Sequence, residues 1–241
     1  MTVKKFPAVF PLLLLSLLLG TCVLADVPLP APPTLNASGY LLSDFHSGRV
    51  LAASNADQRL EPASLTKIMT AYAVFMELKE GNIRLEDEVL VSEKAWRTGG
   101  SRMFIEVGKR VSVEELLKGM IIQSGNDASV ALAEHIAGSE STFATLMNTH
   151  ARRLGMHHSH FVNSTGLPDP DHYTSARDIT LVTEATIREF PQYYALYSEK
   201  AYVYNDIRQP NRNLLLSERA RADTIPELEI LTDTLVGQAV S

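Results

Sequence analysis

A hydroxyl and an amine three residues apart, in Pro62-Ala63-Ser64-Leu65-Thr66-Lys67, are the most reactive pairing the sequence offers. Residues three apart on a helix are neighbours, with Cβ atoms about 5–6 Å apart, so Ser64 and Lys67 read as a nucleophile beside its base. Placed in the first turn, Ser64 sits where unpaired backbone N–H groups and the helix dipole favour negative charge on its oxygen. Lys67 lies one turn deeper, against the run Ile68 to Met76. Burial there disfavours the ammonium form and prepares the amine to accept a proton near neutral pH. A chain of this length holds roughly one Ser-x-x-Lys by chance, so the motif needs a companion. Gln123-Ser124-Gly125-Asn126-Asp127 is that companion: Ser124 passes a proton, and the Asn126 amide orients Lys67 and a substrate carbonyl. The same tripeptide is also ordinary connector chemistry.

The elements that must hold these groups are mostly helical. Residues 39–44 and 49–53 read as a hairpin around His46-Ser47-Gly48, and residues 86–92 and 103–112 as short extended runs. The Ser64 helix should run to about Glu80 and stop at Gly81-Asn82. Helical periodicity returns over 113–122, 128–136, 142–154 and 176–190. Two strands, a helical block and further strands give a mixed α and β domain with an antiparallel sheet.

The surrounding residues narrow the reading. Glu61 to Thr70, Thr98-Gly99-Gly100-Ser101-Arg102-Met103-Phe104, Gln123 to Ala128, Asn163-Ser164-Thr165-Gly166-Leu167-Pro168, His172 to Asp178 and Asn205 to Leu215 resemble the low-molecular-mass penicillin-binding proteins that are serine-type D-alanyl-D-alanine carboxypeptidases. The resemblance covers about residues 35–216. It implies an α/β fold of α+β type, the β-lactamase/DD-peptidase-like fold, with an antiparallel sheet beside a helical subdomain. It further implies that Ser64, Lys67 and Ser124 are catalytic, while Asn126 and Arg212 bind substrate. Ser64 would attack the bond between two D-alanines of a peptidoglycan stem peptide, and a backbone oxyanion hole that includes the Ser64 N–H would stabilise the intermediate. β-Lactams would acylate the same serine, and no metal or organic cofactor is implied.

The resemblance breaks near the end. The family carries Lys-Thr-Gly, then His-Thr, on a strand after the Asn-Arg-Asn segment, whereas here no lysine follows Lys200. Arg97-Thr98-Gly99 looks similar but precedes the second motif and reads as a decoy. The expected layout is a signal peptide over 1–25, an extended lead-in segment over 26–36, a partial catalytic domain over 37–216 and a tail unrelated to the family over 217–241. The later sheet strands, the carboxy-terminal β domain and the family's membrane-anchoring helix would be absent. A frameshift or truncation after Leu216 accounts for such a switch, and the unfinished sheet should leave the isolated chain poorly stable. Two alternatives stay open: a catalytically impaired cell-wall-binding remnant, and a serine β-lactamase, for which no positioned deacylating carboxylate is visible.

Composition sets the outer bounds. Met1 to Lys5, the leucine-rich stretch and Val23-Leu24-Ala25 make a secretory leader, the apolar run being too short for a membrane span. A lipoprotein reading would use Cys22, but Thr21 is poor before it. The folded part then has no cysteine to pair, and the leader together with the resemblance implies secretion across the inner membrane to the periplasm. A net charge of −6 and no basic cluster argue against nucleic acid as a partner. His157-His158-Ser159-His160 lacks acidic or cysteine ligands at metal spacing and reads as a solvated helix end. His46 and His172 stay unassigned; Asp127, Arg177 and Asp178 read as capping or ion-pair residues.

Overall fold

The structure, a computed structural model, describes residues 35–216. The secretory leader, Cys22, the lead-in segment to residue 34 and the tail from 217 lie outside the described residues. The elements run β1 (Tyr40–Ser43), β2 (Val50–Ser54), α1 (Thr66–Glu80), β3 (Glu88–Leu90), α2 (Glu93–Arg97), β4 (Arg110–Ser112), α3 (Val113–Ile122), α4 (Asn126–Ala137), α5 (Glu140–Arg153), α6 (Ala176–Glu189), α7 (Pro191–Tyr194), β5 (Ala201–Tyr204) and β6 (Ile207–Pro210).

The centre of the fold is α1. Every residue from Thr66 to Met76 is buried, the condition of a helix enclosed on all sides rather than one lying on a surface. The helices α3, α4, α5 and α6 all pack on it. Tyr72 and Phe75 meet Phe190 from the end of α6 at ring distances of 5.5 and 5.6 Å, and Phe75 stacks on Tyr193 at 4.9 Å. Each such buried aromatic side chain contributes about 1.5–3 kcal/mol through removal from water. Gly81, left-handed at φ 75°, stops α1, and the Asn82 N–H closes the turn onto the Glu77 carbonyl.

Serine starts three of the other long helices. Ser112, Ser139 and Ser175 each accept the backbone N–H three residues on, capping α3, α5 and α6. The strands pair two by two among the described residues: β1 with β2, β3 with β4 and β5 with β6, all antiparallel. The first hairpin falls where the sequence places it. The run 103–112 is extended only at its end, in β4; its first part is a loop gripped by a buried carboxylate. The β5–β6 hairpin has no counterpart among the strands expected from the sequence, although its turn residues Asn205 and Asp206, at φ 48° and 62°, are among the few types that tolerate that conformation. No helix among the described residues is long and apolar enough to cross a membrane.

Candidate active site

Ser64 does not open α1. It sits in a 3-10 turn, Ala63–Leu65, that leads into the helix. The cause is local: Ala63 is left-handed at φ 44°, so α geometry begins only at Thr66. The result is an exposed Ser64 standing directly over a Lys67 that is 5% exposed.

Three oxygens surround the Lys67 amine. Its Nζ lies 3.5 Å from Ser64 Oγ and donates at 2.7 Å both to Asn126 Oδ1 and to the Thr165 backbone carbonyl. Burial, aided by the nearby Arg212 charge and opposed by Asp127, brings its pKa from 10.5 down to about 7. An amine in that range is partly neutral at physiological pH and can take the hydroxyl proton.

Asn126 opens α4 and is fixed on every side. Its backbone N–H reaches the Ser101 carbonyl at 2.7 Å, and its Nδ2 reaches the Gly99 carbonyl at 2.7 Å. That leaves Oδ1 for the lysine. Next to it Asp127 accepts the N–H groups of Met103, Phe104 and Ile105, doing for the 103–105 loop what a neighbouring strand would do. Ser124, two residues before Asn126, is left-handed at φ 62°; its Oγ is buried and makes no hydrogen bond to a described residue. The structure therefore joins Ser64, Lys67 and Asn126 by contacts, and places Ser124 on the same loop without bonding it to the lysine.

The Thr165 carbonyl is the group that sequence reasoning missed. A backbone oxygen has no residue signature; the signal was Asn163 and Gly166, which close the loop. Asn163 Oδ1 accepts the N–H groups of Thr165 and Gly166 at 3.1 and 2.7 Å. His172, unassigned from sequence, braces the other side. Its Nδ1 accepts the Val162 N–H, so Nε2 carries the proton and donates to Thr66 Oγ1 at 2.7 Å. Burial holds the imidazole well below its usual 6.5, at about 4. Between those values the unfolded chain binds a proton that the folded chain does not, so stability rises with pH across the window and is complete above it. Urea midpoints are accordingly expected to fall from pH 6.5 to 4, His150 adding in the same direction. His172→Gln should flatten that slope; a variant with the parent's full slope would refute the assignment.

Arg212 follows β6, exposed, with its backbone N–H on the Ile122 carbonyl. It reaches the site through its charge on Lys67 rather than by contact. Arg177 pairs with Asp57 at 2.7 Å on the surface, while the buried Asp178 accepts from the His158 N–H and Ser159 Oγ. The His160 ring bonds the Asp171 carbonyl.

A family model described as D-alanyl-D-alanine carboxypeptidase, peptidase S11, matches residues 27–225. The chain belongs to this family. Among its relatives, the D-alanyl-D-alanine carboxypeptidase DacC of Escherichia coli (strain K12) is 48% identical over 190 residues, 76% of this chain and 48% of that protein. DacA of Haemophilus influenzae is 44% identical over 191 residues, covering 78% and 49%. The chain thus spans about half the length of the curated relatives it matches. Penicillin binding protein 5 from Haemophilus influenzae superposes with a TM-score of 0.76 at 44% identity, over 79% of this chain and 56% of that one. Penicillin binding protein 6B from Escherichia coli gives 0.75 at 41%, over 79% and 62%. The fold is accordingly the α+β fold of the DD-peptidases.

Proposed function

We propose that this chain carries the acylation apparatus of a serine-type D-alanyl-D-alanine carboxypeptidase and acts on peptidoglycan stem peptides ending in D-Ala-D-Ala. The observation that carries the reading is the exposed Ser64 hydroxyl 3.5 Å from a buried amine with a pKa of about 7, which Asn126 and Thr165 hold in place.

The neutral Lys67 amine takes the Ser64 proton as Oγ attacks the carbonyl carbon of the penultimate D-alanine. The Ser64 backbone N–H, beside the start of α1, faces the developing oxyanion. The buried Ser124 hydroxyl relays a proton to the departing amine, and the peptide C–N bond breaks. Terminal D-alanine leaves, and water hydrolyses the remaining ester. Asn126 holds the substrate amide, and Arg212 is the cation available to its terminal carboxylate. The residues present supply nucleophile, base and proton relay without a metal or organic cofactor. A β-lactam presents a comparable acyl group and would stop at the ester. The leader-like Met1–Ala25 and the cell-wall substrate together support action outside the inner membrane, in the periplasm.

Labelled penicillin tests the reading. Covalent uptake by the chain, lost in Ser64→Ala, together with D-alanine release from a peptide ending in D-Ala-D-Ala, is the expected result. No uptake by the folded chain would mark the impaired cell-wall remnant, and rapid release of hydrolysed drug would mark a β-lactamase. A folded chain that takes up no label would overturn the proposal.

A further inference from the structure

Behind the Thr165 carbonyl lies a carboxylate that the acylation chemistry does not touch. Glu140 is the first residue of α5, where the helix N-terminus favours negative charge. Its side chain is 12% exposed. Oε1 accepts both the Ser164 N–H, at 3.1 Å, and the Ser164 hydroxyl, at 2.8 Å; Oε2 accepts Lys94 Nζ from α2 at 2.7 Å. Burial alone would raise the pKa of this carboxyl, but Lys94 and the two Ser164 bonds outweigh it and hold it below the usual range.

Ser164 is pinned at its other end as well, because its carbonyl accepts Thr70 Oγ1 from α1 at 2.8 Å. The next carbonyl in the chain is that of Thr165, on Lys67. With its N–H and its C=O both held, Ser164 has the peptide planes on either side of it fixed, which limits where the loop can carry the Thr165 carbonyl, whose own peptide is held through the Gly166 N–H by Asn163. Glu140 thus tethers α5 to the loop whose carbonyl aims the amine at Ser64.

We infer that Glu140 is a positioning residue for Lys67, acting through Ser164 and the Thr165 carbonyl. It does not meet the reacting atoms. The inference rests on the acylation reading of the site only for its consequence on rate. Its effect on the lysine stands apart from that reading, because hydrogen bonds to the ammonium favour the charged form. If the Thr165 carbonyl swings away, Asn126 Oδ1 remains as the close acceptor, and the Lys67 pKa must fall further. The charges acting on the amine from elsewhere, Arg212 after β6 and Asp127 on α4, stay in place. Those facing Glu140 are Lys94 and, more distantly, His172.

Two measurements on the full chain test it. The first is titration of the Lys67 side-chain nitrogen by NMR, its signal assigned by its loss in Lys67→Met. Glu140→Ala should move the midpoint downward, while Lys94→Ala, which leaves both Ser164 bonds, should move it less. The second is the rate of labelled-penicillin uptake, expected to drop about tenfold to a hundredfold in Glu140→Ala, with partial rescue in Glu140→Gln, whose amide oxygen can still accept from Ser164. A folded Glu140→Ala chain with the parent's Lys67 midpoint overturns the inference, as does a Lys94→Ala chain with an equal or larger shift, which would assign the effect to the ion pair. A shifted midpoint in a chain that takes up no penicillin would sustain the positioning role and sink the acylation reading instead. Should Glu140→Ala fail to fold, Ser164→Ala removes one arm of the tether, and the Lys67 midpoint should still fall, by less.

Discussion

Acylation of this chain by a β-lactam is expected to quicken about tenfold per pH unit on the acid side and to level off above about pH 7, because only the neutral Lys67 amine accepts the Ser64 proton. The sign follows from burial. Desolvation lowers the lysine pKa, so its uncharged fraction grows up to that value and saturates beyond it. Lys67→Met should lose about 10²–10⁴ of the rate, the usual contribution of a positioned base. The same shift has a cost in stability. Between pH 7 and 10.5 the unfolded chain binds a proton on this lysine that the folded chain does not, so the fold gains stability as pH rises through that range. Below it the penalty is full, on the order of 5 kcal/mol for a shift of this size. Lys67→Met removes this pH-dependent gain while leaving Asn126 Oδ1 and the Thr165 carbonyl without their shared donor. Initial uptake rates from pH 5 to 9 and urea midpoints over the same range test both halves. A flat rate profile, or a methionine variant within tenfold of the parent, would remove Lys67 from the role of base.

The groups legible in the sequence are those whose chemistry is local. Ser64 and Lys67 are three residues apart, and Ser124 and Asn126 share one loop, so spacing alone sets them side by side. The end of α1 was legible for the same reason: Gly81 stops it. What did not show was anything carried by backbone or by distant closure. The Thr165 carbonyl reaches Lys67 across 98 positions, and no residue type announces an oxygen that every residue owns. Residues 103–105 looked like strand because they are apolar and short; in the fold their N–H groups go to the carboxylate of Asp127, a single side chain standing in for a strand neighbour. Local spacing suggests only a cap or ion-pair role for Asp127 and offers no way to see that its partners lie more than twenty positions back. Ser64 falls two residues ahead of α1 rather than within its first turn, because alanine at φ 44° is not an expectation that composition supports.

That strained turn makes Gly166→Ala the most damaging conservative change expected in the fold. Gly166 is left-handed at φ 84°, and a Cβ built on it would stand 1.7 Å from the Ala63 carbonyl oxygen, 2.4 Å from its carbon and 2.9 Å from Thr66 Oγ1. The obstacle is backbone, and it belongs to the turn that presents Ser64, so no side-chain rotation relieves it. The loop that aims Lys67 and the turn that carries the nucleophile are in direct contact at this point, with no room for a methyl group. Gly48 provides the comparison: it is also left-handed, at φ 68°, but a Cβ there meets nothing within 4 Å. Gly48→Ala should therefore cost about 1–2 kcal/mol from backbone strain alone. Gly166→Ala adds the clash and should exceed about 4 kcal/mol, in the range where substitutions point to a specific structural failure. Urea unfolding of the two variants side by side separates strain from collision. If Gly166→Ala does fold, penicillin uptake should still fall steeply, because the turn can yield only by moving Ser64 away from the amine. Equal stabilities for the two alanine variants, with uptake preserved, would mean that the loop and the nucleophile turn are not packed as described.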